Sequence, residues 1–87
     1  MSSAINPQVS LSPVAGSAVE VSAGLWFHMH AGARVIRVFV SNEALEGVGE
    51  PAMSRRERFD LHRTVFESAA GERYAAGMVE PDGIIRL

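Results

Sequence analysis

Residues 24–40 decide the fold, and they read GLWFHMHAGARVIRVFV. Two runs rich in β-branched and aromatic residues, Gly24 to His30 and Ala33 to Val40, flank the dipeptide Ala31-Gly32, which is the spacing of a tight hairpin. Successive side chains of a strand point to opposite faces of the sheet, and Arg37 marks the wetter face. The residues predicted to face the core are Leu25, Phe27, Met29, Ile36, Val38 and Val40.

The outward face of this hairpin is the candidate interaction surface. Its predicted members are Trp26, Val35, Arg37 and Phe39. They would lie beside His28 and His30, so an aromatic centre would have a polar rim, as protein-binding surfaces do. One alternative is a second small core, in which the N-terminal arm covers these residues through Val9, Leu11 or Val19. Another is the opposite hairpin register, which would turn both histidines toward the helices.

The segment before the hairpin is rich in Ser, Ala and Pro, which predicts a loose arm over residues 1–17 and a folded domain over residues 18–87. The arm has one candidate strand, Gln8 to Leu11, and a turn between Pro13 and Gly16. Val19 to Val21 is predicted to be an edge strand.

Two helix starts follow the hairpin. Ser41 is a favourable N-cap for a short helix that runs to about Val48 and ends at Gly49. Ser54 and Glu57 have the spacing of a capping box, in which each side chain binds the backbone N–H of the other residue. They predict a long helix from residue 55 to about 76, with Gly71 or Gly77 as its stop.

One stripe of the long helix is predicted to pack on the sheet. It contains Phe59, His62, Val65, Phe66, Ala69, Ala70 and Arg73. A turn at residues 81–83 then leads to a final short strand, Ile84 to Leu87. The predicted fold is therefore two-layer α+β: a small antiparallel sheet, made of the hairpin with N- and C-terminal strands, carries one short and one long helix on one face.

Composition narrows the classes of function. The chain has 87 residues, no cysteine and a net charge of −2, so it offers no disulfide, no thiolate nucleophile and little surface for a deep pocket. Residues 1–12 have no basic residue and no long apolar run. We therefore expect that they are not a signal peptide and do not span a membrane. We expect a cytoplasmic protein.

Three patterns suggest chemistry, and each has a simpler interpretation. Residues 47–52, GVGEPA, match a G-x-G-x-x-A string, but no strand precedes them. His28 and His30 share one strand face, which is a spacing found in metal sites, although a closed zinc site needs four ligands. His62 has no carboxylate partner on its side of the helix, so no catalytic group is predicted.

The long helix also has a basic aspect. Its arginines are Arg55, Arg56, Arg58, Arg63 and Arg73. Because acidic residues are interleaved with them, a solvated helix with local ion pairs is favoured over a nucleic-acid footprint.

From residue 24 onward the chain resembles a family of short bacterial proteins, the domain-of-unknown-function family number fourteen eighty-eight. The stretches that carry the likeness are residues 25–27, 32–35 and 41–46, the pattern Phe59-x-x-x-Arg63-x-x-Phe66, Ala69 with Ala70, and residues 82–85. The resemblance implies a small α+β sandwich and no known activity. The arm is longer and less strand-like than the opening strand of that family, and the residue at position 62 differs among its members.

We therefore expect a non-enzymatic accessory or interaction domain without a cofactor, whose partner is another protein or a second copy in a weak homodimer. The first alternative is a small metal-binding protein that uses His28 and His30. The second is a nucleic-acid binder that uses the helix arginines.

Overall fold

The computed structural model describes residues 11–87, which form a five-stranded sheet with a helical layer on one face. The elements are β1 (Leu11–Pro13), β2 (Val19–Val21), β3 (Gly24–Ala31), β4 (Arg34–Ser41), α1 (Asn42–Glu46), α2 (Arg55–Leu61), α3 (Arg63–Ala75) and β5 (Ile84–Arg86). The predicted α+β class is confirmed.

The hairpin of β3 and β4 is the centre of the sheet. On one side, β1 and β2 both pair with β3 in antiparallel orientation. On the other side, β5 pairs with β4 in parallel, so the predicted antiparallel sheet is in fact mixed. The helices connect β4 to β5 as a crossover, and after such a connection the chain enters the second strand in the same direction as the first.

The predicted orientation of the hairpin is confirmed. Its turn lies at Gly32 and Ala33, one residue later than predicted, and Gly32 has the positive φ of 62° that such a turn requires. Trp26 lies directly opposite Phe39. The inward side chains are at most 1% exposed: Leu25, Phe27, Met29, Ile36, Val38 and Val40.

Both predicted helix starts are confirmed. The Ser41 side chain accepts a hydrogen bond from the Ala44 N–H, but α1 ends at Glu46, two residues earlier than predicted. The capping box is complete: the Glu57 N–H donates to Ser54 Oγ at 3.1 Å, and the Ser54 N–H donates to Glu57 Oε1 at 2.8 Å.

The single long helix of the prediction is wrong, because the chain breaks at His62 into α2 and α3. The His62 backbone leaves helical geometry, with φ −110° and ψ 26°. No Gly or Pro marks the break, and each segment has its own anchor in the core, Phe59 in α2 and Phe66 in α3. Gly77, with φ 74°, is the stop of α3.

The predicted helical stripe is only partly correct. Phe59, Phe66 and Ala70 are buried, whereas Val65 is 51% exposed. At 100° per residue, Phe59, Phe66 and Ala70 lie within about 40° of one another, whereas Val65 lies about 100° from Phe66, at the margin of the predicted stripe.

The N-terminal region contributes two strands to the sheet. Val19–Val21 is a strand at its edge, as predicted, and Gly16 has a turn conformation with φ 73°. Residues 11–13, placed in the arm by the sequence, pair with β3. Most of the predicted strand Gln8 to Leu11 lies outside the described residues, and only Leu11 falls in a strand.

Aromatic contacts join the two layers. The Phe27 ring lies 5.1 Å from that of Phe59, which stacks on Phe66 at 5.7 Å and an interplanar angle of 14°. These rings tie β3 to both helix segments, so the inner face of the hairpin is closed by the helices.

Candidate functional site: the outer face of the sheet

The outer face is the side of the sheet opposite the helices. We define it by Val19, Trp26, His28, His30, Val35, Arg37, Phe39, Ile84 and Arg86, of which Ile84 is buried. One row of directly paired positions crosses four strands and consists of Val19, Trp26, Phe39 and Arg86. His28, Arg37 and Ile84 form the next row, and His30 with Val35 form the row after it. All four predicted surface residues therefore lie on one face.

Two aromatic rings and two guanidinium groups form the centre of this face. The rings of Trp26 and Phe39 have centroids 4.9 Å apart and are tilted by 56°. The Arg37 guanidinium carbon lies 4.5 Å from the centroid of the Trp26 ring, and that of Arg86 lies 5.8 Å from the Phe39 ring. Both distances fall within the range of cation–π attraction.

Gly24 positions the Phe39 ring. A Cβ atom at Gly24 would overlap the Val40 carbonyl oxygen and come within 3.0 Å of the Phe39 ring. Aromatic side chains commonly cover a strand glycine in this way. The missing side chain therefore leaves room for the Phe39 ring beside Trp26.

The described residues leave much of the outer face open to solvent. Val35 is 53% exposed and Val19 is 57% exposed, and neither belongs to the core. Leu11, which the sequence offered as a possible cover, packs against the inner core instead. Val19 lies beside Trp26 rather than over it, and Val9 lies outside the described residues. Neither Leu11 nor Val19 therefore covers the Trp26 and Phe39 rings.

The histidines lie on two sides of the molecule. His28 and His30 share the outer face, whereas His62 is half-buried at the junction of α2 and α3. Within residues 11–87, no three metal-ligating side chains are close enough together to hold an ion. The metal hypothesis therefore depends on two ligands.

The structure assigns a structural task to Arg58, which sequence reasoning placed on a solvated helix face. This side chain is only 9% exposed and donates hydrogen bonds to backbone carbonyl groups rather than to a carboxylate. The acceptors, at 2.6–3.5 Å, are the carbonyl oxygens of Leu45, Glu46, Val48, Glu50 and Met53. A loop that binds phosphate turns N–H groups toward its ligand, whereas this G-x-G-x-x-A loop turns carbonyl groups toward a cation.

The other four helix arginines bind carbonyl groups of the strands and their connecting turns. Arg55 donates to Val21 O at 2.8 Å, and Arg73 donates to Arg86 O at 2.7 Å. Arg56 and Arg63 make similar bonds, at 3.3 Å, to the carbonyl groups of Ala18 and Val14. Two of the predicted helical ion pairs are also present, Arg56 with Asp60 and Arg63 with Glu67. The guanidinium groups that suggested a phosphate footprint therefore all make hydrogen bonds within the protein.

The sequence contains an indication that Arg58 is buried, but it does not show which groups Arg58 contacts. Arg58 precedes Phe59, so it lies within 100° of the buried stripe of α2, where a long side chain can bury its stem. Its carbonyl acceptors come from residues 45–53, which only the tertiary structure brings to it.

No helix formed by residues 11–87 has the length and apolar character that a membrane crossing needs. Comparison with protein-family models finds no match. Comparison with curated proteins and with solved structures finds none either. The likeness to family fourteen eighty-eight therefore stays a prediction.

Proposed function

We propose that this protein is a non-catalytic interaction domain that binds another protein through its outer face. The observation that carries the proposal is the aromatic and cationic cluster of Trp26, Phe39 and Arg37, left partly open to solvent by the described residues. Trp, Phe and Arg are the residue types over-represented at protein interfaces, and they supply most of the binding free energy there.

The arrangement of the cluster supports a ready-made surface. Trp26 and Phe39 hold each other on neighbouring strands, so binding would immobilise few additional side-chain torsions. The strands themselves are held by the core on their other face. A partner would therefore meet a preorganised site.

The helix side of the molecule offers less support for a catalytic function. A groove of about 610 Å³ lies there between α3 and β1 and is mainly apolar, with Leu11, Met29 and Tyr74 among its lining residues. The carboxylates that line it are Glu67, which pairs with Arg63, and Glu72. These groups do not form a set of nucleophile, base and orienting residue.

The test is a comparison of Trp26→Glu with Leu61→Glu. Both substitutions place a carboxylate at an apolar position, but Leu61 is 66% exposed on α2, away from the outer face. Wild-type protein is used to capture a partner, which is then purified and titrated against all three proteins. We expect Trp26→Glu to stay folded and to lose at least about tenfold in affinity, because a hot-spot aromatic residue contributes 2 kcal/mol or more. Leu61→Glu should bind like the wild type.

Two results would contradict the proposal. If Trp26→Glu binds the purified partner as tightly as the wild type, the interface lies elsewhere. If it unfolds or loses several kcal/mol, as a buried position would, Trp26 has a structural role. Sedimentation of the wild type and Trp26→Glu tests the homodimer in the same way.

A further inference from the structure

The outer face has an unbalanced charge. Arg37 lies over Trp26 and has no ion-pair partner among residues 11–87. Arg86 forms an ion pair with Glu80 at 3.0 Å. Among residues 11–87, Glu80 is the one acidic residue whose side chain pairs with an arginine of the outer face. The net positive charge next to exposed apolar groups favours a partner that presents carboxylates.

The same charge disfavours a second copy of the chain as the occupant. If two outer faces packed against each other, Arg37 and Arg86 would approach cations of an identical surface. Like charges brought together at an interface weaken binding and select against that partner. The face is therefore complementary to an acidic surface and not to itself.

The edges of the sheet disfavour strand addition. On the β5 edge, Ile84 O accepts from the Glu80 N–H, Ile84 N–H donates to Asp82 Oδ1, and Arg86 O accepts from Arg73. The opposite edge has three-residue strands, and Arg56 binds the carbonyl oxygen of Ala18 next to β2. Short strands with occupied backbone groups resist pairing with another strand. A ligand of this sheet has to pack on its side chains.

A helix is one of the elements that pack on the side chains of a sheet face, and helices do so on the inner face of this sheet. The row from Val19 to Arg86 crosses three interstrand spacings, or about 14 Å. A helix of about ten residues, or three turns, covers that span at 1.5 Å per residue. Its apolar stripe would meet Val19, Trp26 and Phe39.

We propose that the outer face binds an acidic amphipathic helix of a partner protein, with the apolar stripe on the Trp26 and Phe39 rings and carboxylates opposite Arg37 and Arg86. This inference rests on the proposed function and adds the chemistry of the partner. Arg37 sets the charge preference, and the apolar row sets the helical register.

The probe is a synthetic helical peptide of fourteen residues, free of tryptophan, stapled, and labelled for fluorescence anisotropy. Leucines occupy one stripe and glutamates the flanks. Two control peptides replace every glutamate by lysine or scramble the order of the residues. The protein variants are Arg37→Glu and its matched control Arg34→Glu. Arg34 is exposed at the start of the same strand and pairs with Ala31, which belongs to the inner face.

We expect the acidic peptide to bind wild type and Arg34→Glu alike, and Arg37→Glu at least about tenfold more weakly, because reversing a charge at a complementary interface costs this much or more. The lysine peptide should bind Arg37→Glu better than it binds wild type. Quenching of Trp26 fluorescence should accompany binding, since Trp26 is the only tryptophan.

The inference is overturned if the acidic peptide binds no tighter than the scrambled or lysine peptide, or if Arg34→Glu loses as much affinity as Arg37→Glu. Tighter binding of a single-stranded oligonucleotide, with quenching of Trp26, would reassign the face to nucleic acid. If the partner captured through Trp26 presents no acidic helix, this inference fails while the proposed function stands. If capture does not depend on Trp26, both fail.

Discussion

The two faces of the β3–β4 hairpin carry similar side chains but differ in how far those side chains are buried. Phe27 on the inner face is 0% exposed, whereas Phe39 on the outer face is only half-buried, although both are strand phenylalanines next to an aromatic ring. Val38 and Val35 show the same contrast, at 0% and 53% exposed. The difference arises from the helix layer, which covers one face only. Apolar residues without a cover are what a binding surface needs.

Two arginines repeat this contrast. Arg58 is buried and donates to carbonyl groups of the α1 end and the following loop, whereas Arg37 is exposed and lies over Trp26. The first stabilises the fold by satisfying buried acceptors. The second leaves its charge available to a partner. Residue type is therefore a poor guide to the role of an arginine in this chain.

The largest expected effect comes from removing a ring on the inner face. Phe27→Ala should destabilise the protein by about 4 kcal/mol, because it leaves a cavity against Phe59. Phe39→Ala should cost about 2 kcal/mol, because the half-buried ring loses a smaller buried area together with its contact to Trp26. Urea denaturation measures both. Equal losses would mean that the outer face is a second core.

The two arginines can be separated by the same substitution. Arg58→Met should cost about 2–3 kcal/mol, because it leaves buried carbonyl groups without donors. Arg37→Met should cost less than about 1 kcal/mol, the contribution of an exposed cation–π contact. Thermal and urea unfolding report the difference. Comparable costs at both positions would contradict the assignment of Arg58 as the structural arginine.

A smaller effect is expected at the N-cap of α2, one of the helices that cover the inner face. Ser54→Ala removes the side-chain acceptor of the capping box and should destabilise the protein by about 1 kcal/mol. Ser68→Ala, at an exposed position inside α3, is the control and should not destabilise. A denaturation midpoint of Ser54→Ala equal to that of wild type would show that α2 does not depend on this cap.

The smallest expected effect is none, and it concerns the outer histidines. Zinc, nickel or copper at modest excess should leave the melting temperature unchanged, because only His28 and His30 share a face. Specific binding at a hundredfold excess over Kd would stabilise the fold by about 2.7 kcal/mol. A clear rise that His30→Ala abolishes would establish a metal site in place of the protein-binding surface.

The sequence-based predictions were correct where a few neighbouring residues decide the local structure. The alternation in β3 and β4 predicted the buried side of the hairpin, and Ser54 with Glu57 predicted the start of α2. The break at His62 was missed because no Gly or Pro marks it. The exposure of Val65 was missed because the predicted stripe was too wide, since Val65 lies about 100° from Phe66 around α3.

The sequence by itself determined the hairpin, the edge strand β2 and the starts of α1 and α2, because strand alternation, helix caps and turn glycines act within a few residues of chain. Only the tertiary structure decided the parallel pairing of β5, the burial of Arg58 and the exposure of the Trp26 and Phe39 rings. Each of these depends on contacts between residues far apart in the chain, such as Arg58 with the carbonyl group of Val48. Which apolar face is covered is a property of the packed layers and not of the strand that bears it.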